Sequence, residues 1–233
     1  MLEDHKGSSL IIKNVESFQV EDELEIPLQV HMEKYTRGTG GIAKPTTKIK
    51  FKEKVGNSII YEVEQYSETI KETIRFYLDG LKEFNHGYQK KAIFPLIYRK
   101  SDIKVFVFTN IFHGRIFFTR LSELKKKIVL KNTYFDFEDF KLIPEIKNIW
   151  GVWEDVALPH KKTNASFGNQ VDKSVDVQLS RATSINLKME IDGKVYTLTV
   201  SKDGRISSPQ RLKKEELISI FDRYFKKYLK TET

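Results

Sequence analysis

The sequence predicts an α+β fold, with a mixed or mostly antiparallel sheet and two main amphipathic helices. Three observations carry the prediction. Apolar residues alternate with polar ones over residues 24–32 and 185–200, the period of strands with one buried face. Two-residue turn signals, Gly56-Asn57 and Asp192-Gly193, each divide a strand-like stretch in two. Residues 67–86 and 209–229 instead carry apolar side chains three and four apart, the period of a helix.

Taken in order, residues 10–13 predict a short strand. Residues 24–32 predict an edge strand, because Pro27 cannot donate to a ladder. The loop 35–45, YTRGTGGIAKP, lacks P-loop spacing. Its glycines, Arg37 and Lys44 could still meet a phosphate through backbone N–H groups and charge.

Residues 46–66 predict a hairpin around Gly56-Asn57. A regular register pairs Val55 with Ser58, Glu53 with Ile60, Phe51 with Glu62 and Ile49 with Glu64. Glu53, Glu62 and Glu64 then share one face with Ile49 and Phe51, and Lys48, Lys50, Lys52 and Lys54 share the other. Neither face is cleanly apolar, and such a conflict between pattern and fold is expected at functional sites.

Residues 67–86 predict the first main helix, capped by Ser67 and stopped by Gly87. Residues 92–119 are the most apolar run of the chain. They predict two central strands, 105–108 and 116–118, joined by a turn at Asn110, His113 and Gly114. A short helix is expected over 121–130 with Ser122 as cap. Phe135, Phe137, Trp150 and Trp153 are expected in a core. The polar stretch 154–184 reads as a functional loop or linker. Asp192-Gly193 sets Ile185 opposite Val200, Leu187 opposite Leu198 and Met189 opposite Tyr196. The second main helix is expected from 209 to 229 behind a Ser207-x-x-Gln210 capping box. The expected domains are a main α+β domain over 1–153, the connection 154–184, and a C-terminal hairpin plus helix over 185–233. This last piece could form a ββα subdomain packed on the main domain.

Composition bounds the function. The 233 residues hold no cysteine, which excludes disulfides, thiol chemistry and cysteine zinc sites. No stretch approaches the roughly 20 apolar residues of a membrane span, and no signal-peptide pattern opens the chain. The expectation is a cytoplasmic protein without a membrane span. A net charge of +8 favours a polyanionic partner, nucleic acid before an anionic membrane. Basic residues interleaved with aromatics point the same way. The candidate phosphate contacts are Arg37, Lys44, Lys48, Lys50, Lys52, Lys90, Lys91, Arg99, Lys161 and Lys162.

Catalysis, if present, is expected on the 46–66 hairpin. Glu62 and Glu64 lie two apart on one strand, so both side chains project to one face. Mg²⁺ commonly binds through one or two carboxylates plus a substrate phosphate. It can then activate water for phosphodiester cleavage. Glu62 and Glu64 are the candidate metal ligands, and Glu53, Glu62 and Glu64 the candidate catalytic residues.

The order of hairpin with carboxylates, helix and apolar strand is similar to the core of the PD-(D/E)XK nuclease superfamily. The resemblance covers roughly residues 46–110. It implies Glu53 as the first acid and Glu62-Val63-Glu64 as the second motif. The first position is Glu rather than Asp, and Glu64 stands where a Lys is usual. The five histidines show no metal-ligand spacing, and no G-x-S-x-G or G-x-G-x-x-G is present.

Three functions follow as expectations. The first is a nucleic-acid-binding protein, on DNA more than RNA, that cleaves with a divalent metal. The second is a non-enzymatic nucleic-acid-binding protein. The third is a protein-interaction or inhibitor module with a basic surface. A homodimer is expected if the protein reads a DNA site.

Overall fold

The structure, a computed structural model, describes residues 8–27, 46–66, 70–76, 82–88, 91–122, 127–154, 162–167 and 182–232. The chain divides into two units. Unit 1 comprises Met1–Val15, Ile103–Asn110 and Leu130–Thr233, and unit 2 comprises Glu16–Asp102 and Ile111–Val129. Every strand pair with a described register is antiparallel. The sheet is therefore mostly antiparallel, as the sequence predicts. Strand β1 (Ser8–Phe18) opens the described chain.

In unit 2 the strands β2 (Glu23–Pro27), β3 (Thr46–Val55), β4 (Ser58–Tyr66) and β7 (Lys91–Arg99) form the order β2-β3-β4-β7. Pro27 pairs with Thr46 at the end of the outermost of these strands, where its missing N–H costs no ladder bond. One face of this sheet is apolar, with Leu24, Ile26, Ile49, Tyr61, Val63, Phe94 and Leu96 all buried. Helix α1 (Ile111–Ser122) buries Gly114, Phe117, Arg120 and Leu121. Phe117 meets Phe94 edge-on at 5.5 Å. Arg120 Nη1 donates to Thr47 Oγ1 at 2.8 Å, and Gln65 Nε2 donates to the His113 carbonyl at 3.3 Å. These contacts hold α1 on that face.

Three sequence expectations are corrected here. Residues 67–86 were expected as a helix; the described part is a hairpin of β5 (Ile70–Phe76) and β6 (Lys82–Tyr88), with Ile74 opposite Phe84 and Ile70 opposite Tyr88. A spacing of four is even, so Ile70 and Ile74 share a strand face as readily as a helix face. Residues 116–118 were expected as a strand and lie in α1. A short apolar run is ambiguous by periodicity, and burial at 114, 117 and 121 settles it as helical. Residues 121–130 were expected as a helix; α1 ends at Ser122, and β9 (Ile128–Lys131) is a strand.

In unit 1 the strands β8 (Lys104–Val107), β11 (Ile146–Glu154), β12 (Lys162–Phe167), β13 (Ser184–Ile191), β14 (Lys194–Ser201) and β15 (Arg205–Ser208) join β1 in the order β12-β11-β13-β14-β15-β1-β8. The hairpin β13–β14 has the expected register, Ile185 with Val200, Leu187 with Leu198 and Met189 with Tyr196. Asp192 and Gly193 both take positive φ, 50° and 76°, as a type I′ turn requires. Leu10, Ile12, Phe106, Ile149, Ile185, Leu187, Leu198, Val200 and Ile206 form the buried face. Phe106 packs edge-on against Phe221 at 5.7 Å.

The C-terminal helix starts later than expected. Helix α2 (Lys214–Ile220) runs into a π-helical turn, Phe221–Phe225, and a 3-10 turn, Lys226–Tyr228. Before it, Gln210 bonds the Thr197 N–H through Oε1 and the Val195 carbonyl through Nε2, at 3.1 and 3.0 Å. Residue 210 is thus tied to β14 rather than wound into a helix. The Lys213 N–H is accepted by the Glu216 carboxylate at 2.9 Å, which satisfies an otherwise orphan donor. The predicted apolar stripe is nevertheless buried: Leu217, Ile220, Phe221, Tyr224, Phe225 and Tyr228. Phe140, in a 3-10 turn at Glu138–Leu142, stacks on Phe225 at 5.3 Å. Strands β10 (Thr133–Phe135) and β16 (Leu229–Thr231) pair beside this aromatic cluster. Among the described residues α1 and α2 are short, and none of the helices is long and apolar enough to cross a membrane.

Candidate functional site: two polar sheet faces

The hairpin β3–β4 turns at Gly56-Asn57 with Val55 opposite Ser58 and Glu53 opposite Ile60. A bulge then intervenes between Phe51 and Glu53, so Phe51 faces Tyr61, Lys50 faces Glu62 and Lys48 faces Glu64. This corrects the regular register, which set Phe51 against Glu62. One extra residue in β3 exchanges its two faces from Phe51 onward. The expected conflict of pattern disappears. Ile49 joins Tyr61 and Val63 in the core, and the lysines join the glutamates.

The result is a face of alternating charge across four strands. Lys52 Nζ lies 2.9 Å from Glu62. Glu64 lies 3.4 Å from Lys50 and 3.3 Å from Lys91 on β7. Lys48 reaches Glu25 at 3.3 Å and Glu23 at 3.8 Å on β2. Burial acts to raise the Glu64 pKa, but hydrogen bonds and charge from Lys91 and Lys50 outweigh it and hold the carboxyl below its ordinary value. The hydrogen bond to Glu64 pushes Lys91 up. The bond to Glu25 does the same for Lys48.

All three candidate catalytic acids stand on this face by register, Glu53 opposite Ile60; Glu62 and Glu64 are each bonded to lysine, and Glu53 is exposed on the turn side of the bulge. A hard cation at Glu62 and Glu64 would have to displace three ammonium groups. Among the described residues no group of three or more His, Asp or Glu could hold a metal ion.

The other candidates are dispersed. Arg99 forks onto the Asp102 carboxylate, Nε at 2.7 Å and Nη2 at 2.5 Å, and so braces the turn after β7. Lys162 stands opposite Glu154 in the β11–β12 backbone register, at the start of β12. Arg37, Lys44, Lys90 and Lys161 lie outside the described residues, as does the Gly-rich loop. His113, expected in a turn, is in α1.

No protein-family model matches the chain, and no curated protein matches it. What the residues do is therefore argued from their own chemistry.

A second polar face lies in unit 1, on the side of the sheet opposite its core. In register across β11, β13 and β14 stand Asn148 and Lys188, then Trp150, Asn186 and Thr199. Ser207 and Arg205 of β15 continue it, and Ser9 of β1 faces Ser207. Lys188 Nζ lies 5.9 Å from the centre of the Trp150 ring. Sequence reasoning placed Trp150 in a core; it is half-buried on this outer face. The signal that could have found it was the polar parity of the 185–200 hairpin, Asn186, Lys188, Thr197 and Thr199, extended to the neighbouring strand.

Proposed function

We propose that the chain is a nucleic-acid-binding protein that acts by binding rather than by cleavage through the β3–β4 carboxylates. The observation that carries the choice between binding and cleavage is the pairing of Glu62 with Lys52 and of Glu64 with Lys50 and Lys91. A carboxylate bound to ammonium groups is a poor ligand for Mg²⁺, which dehydrates reluctantly and demands near-ideal geometry. The positive excess of eight charges supports a polyanionic partner. Part of that excess is exposed at Arg223, Lys226 and Lys227 on the C-terminal helical turns and at Lys230 on β16.

The test is a panel of duplex DNA, single-stranded DNA and RNA, titrated over a salt series with Mg²⁺ or with chelator. The expected result is affinity that falls steeply with salt, as counterion release requires, with no metal-dependent product. Product that appears with Mg²⁺ and is lost in Glu62→Ala with Glu64→Ala would restore the nuclease reading. No affinity for any nucleic acid, with capture of an acidic protein instead, would favour the interaction module.

A further inference from the structure

We propose that the outer face of the unit 1 sheet, centred on Trp150 and Lys188, binds single-stranded nucleic acid by stacking an unpaired base on the indole. This inference rests on the nucleic-acid-binding reading and assigns it a substrate class and a site.

Trp150 stands on the face of β11 opposite the core, with an exposed ammonium 5.9 Å from its ring centre. An aromatic plane beside a flexible cation suits a nucleotide, whose base has a π-face and whose phosphate carries charge. A base held in a duplex offers no free face, so this pairing selects unpaired bases.

The neighbouring groups are hydrogen-bonding rather than apolar. The Thr199 hydroxyl donates to Asn186 Oδ1 at 2.6 Å, which leaves the Asn186 NH₂ as the donor of that amide. Asn148 Oδ1, beside Lys188, and Ser9 Oγ and Arg205 Nε, further along the face, are buried without a hydrogen-bond partner. Base edges and sugar hydroxyls carry groups complementary to the amides and hydroxyls of this face. Among the described side chains Lys188 and Arg205 on the face, with Lys147 beside it, outnumber the carboxylate of Glu190, which lies 3.9 Å from Lys147. That balance favours an anionic strand over a neutral glycan, which Trp and Asn side chains could otherwise serve.

Trp150 and Trp153 are the two tryptophans of the chain, so a Trp153→Phe background reports Trp150 fluorescence alone. The full chain is titrated with short oligothymidylate, oligouridylate, a mixed-sequence duplex and a neutral oligosaccharide. The single strands are expected to quench Trp150. Read by the anisotropy of a labelled strand, since these variants lack the reporter, Trp150→Ala is expected to weaken binding roughly tenfold and Trp150→Phe to restore most of the loss. Lys188→Glu, at an exposed position, is expected to weaken binding and flatten its salt dependence. Unchanged single-strand affinity in Trp150→Ala and Lys188→Glu would overturn this site and leave the nucleic-acid-binding reading standing. So would tight duplex binding without quenching. No nucleic-acid affinity at all would overturn both, and quenching by the oligosaccharide would then assign the face to a glycan.

Discussion

Gly204 is held by its neighbours more tightly than any residue type but glycine allows. Its φ is +85°, and a Cβ there would stand 2.7 Å from Thr133 Oγ1 and 2.8 Å from the Ile12 carbonyl. Those two atoms are themselves joined, because the Thr133 hydroxyl donates to that carbonyl at 2.8 Å. Gly204→Ala therefore combines backbone strain with the loss of a buried hydrogen bond. Urea unfolding should show a loss of about 3 kcal/mol. Gly193, also at positive φ, has open space around its Cβ position, so Gly193→Ala should cost only about 1 kcal/mol. Glu64 sets a pH dependence. Its pKa is lower in the fold than in the unfolded chain, so its contribution is full above the ordinary carboxylate value of about 4.3 and is lost as pH falls through the folded value. Acid unfolding should be shallower in Glu64→Gln. Lys91 has the opposite sign: its raised pKa gives a contribution present below the ordinary lysine value and lost as pH rises through the folded one.

At the scale of elements, α1 depends on one aromatic anchor. Phe117 is fully buried against Phe94, and Phe117→Ala should destabilise unit 2 by about 3–5 kcal/mol, read as a lower urea midpoint. Turns and clean alternation were legible in the sequence: Gly56-Asn57 and Asp192-Gly193 both turn as predicted, and the second set its whole register. The first did not, because a bulge at Lys52 leaves no signature beyond the mismatched faces it repairs. That same bulge decides the candidate site, since it brings Lys50 and Lys52 over Glu62 and Glu64. The hairpin β5–β6 and the helix α1 were misassigned for one reason. Ile70 and Ile74, and separately Ile116, Phe117 and Phe118, satisfy two periods at once, and tertiary packing chooses between them. The start of α2 was misplaced because Gln210 finds partners on β14, a contact 13 or more residues away that no local capping rule contains.

For the molecule as a whole, charge was legible and its distribution was not. The excess of eight predicts a salt-sensitive partner, but the lysine row on β3 is matched by glutamates on both neighbouring strands. Reversing Lys48 and Lys50 together to Glu should therefore loosen the sheet more than it lowers nucleic-acid affinity. Thermal unfolding and a binding isotherm on the same variant would separate the two effects. Long-range strand order was not legible at all. Strand β1 is bounded by β8 on one side, Ile11 facing Val107, and by β15 on the other, Ser8 facing Ser208. As the chain leaves the ribosome, β1 emerges well before either partner exists. It stays an open hydrogen-bonding edge carrying Leu10, Ile11 and Ile12 until Val107 and then Ser208 have been made. Closing such distant pairs is slow, so a nascent copy of this protein offers the edge of β1 to any other chain until residue 208 has been made.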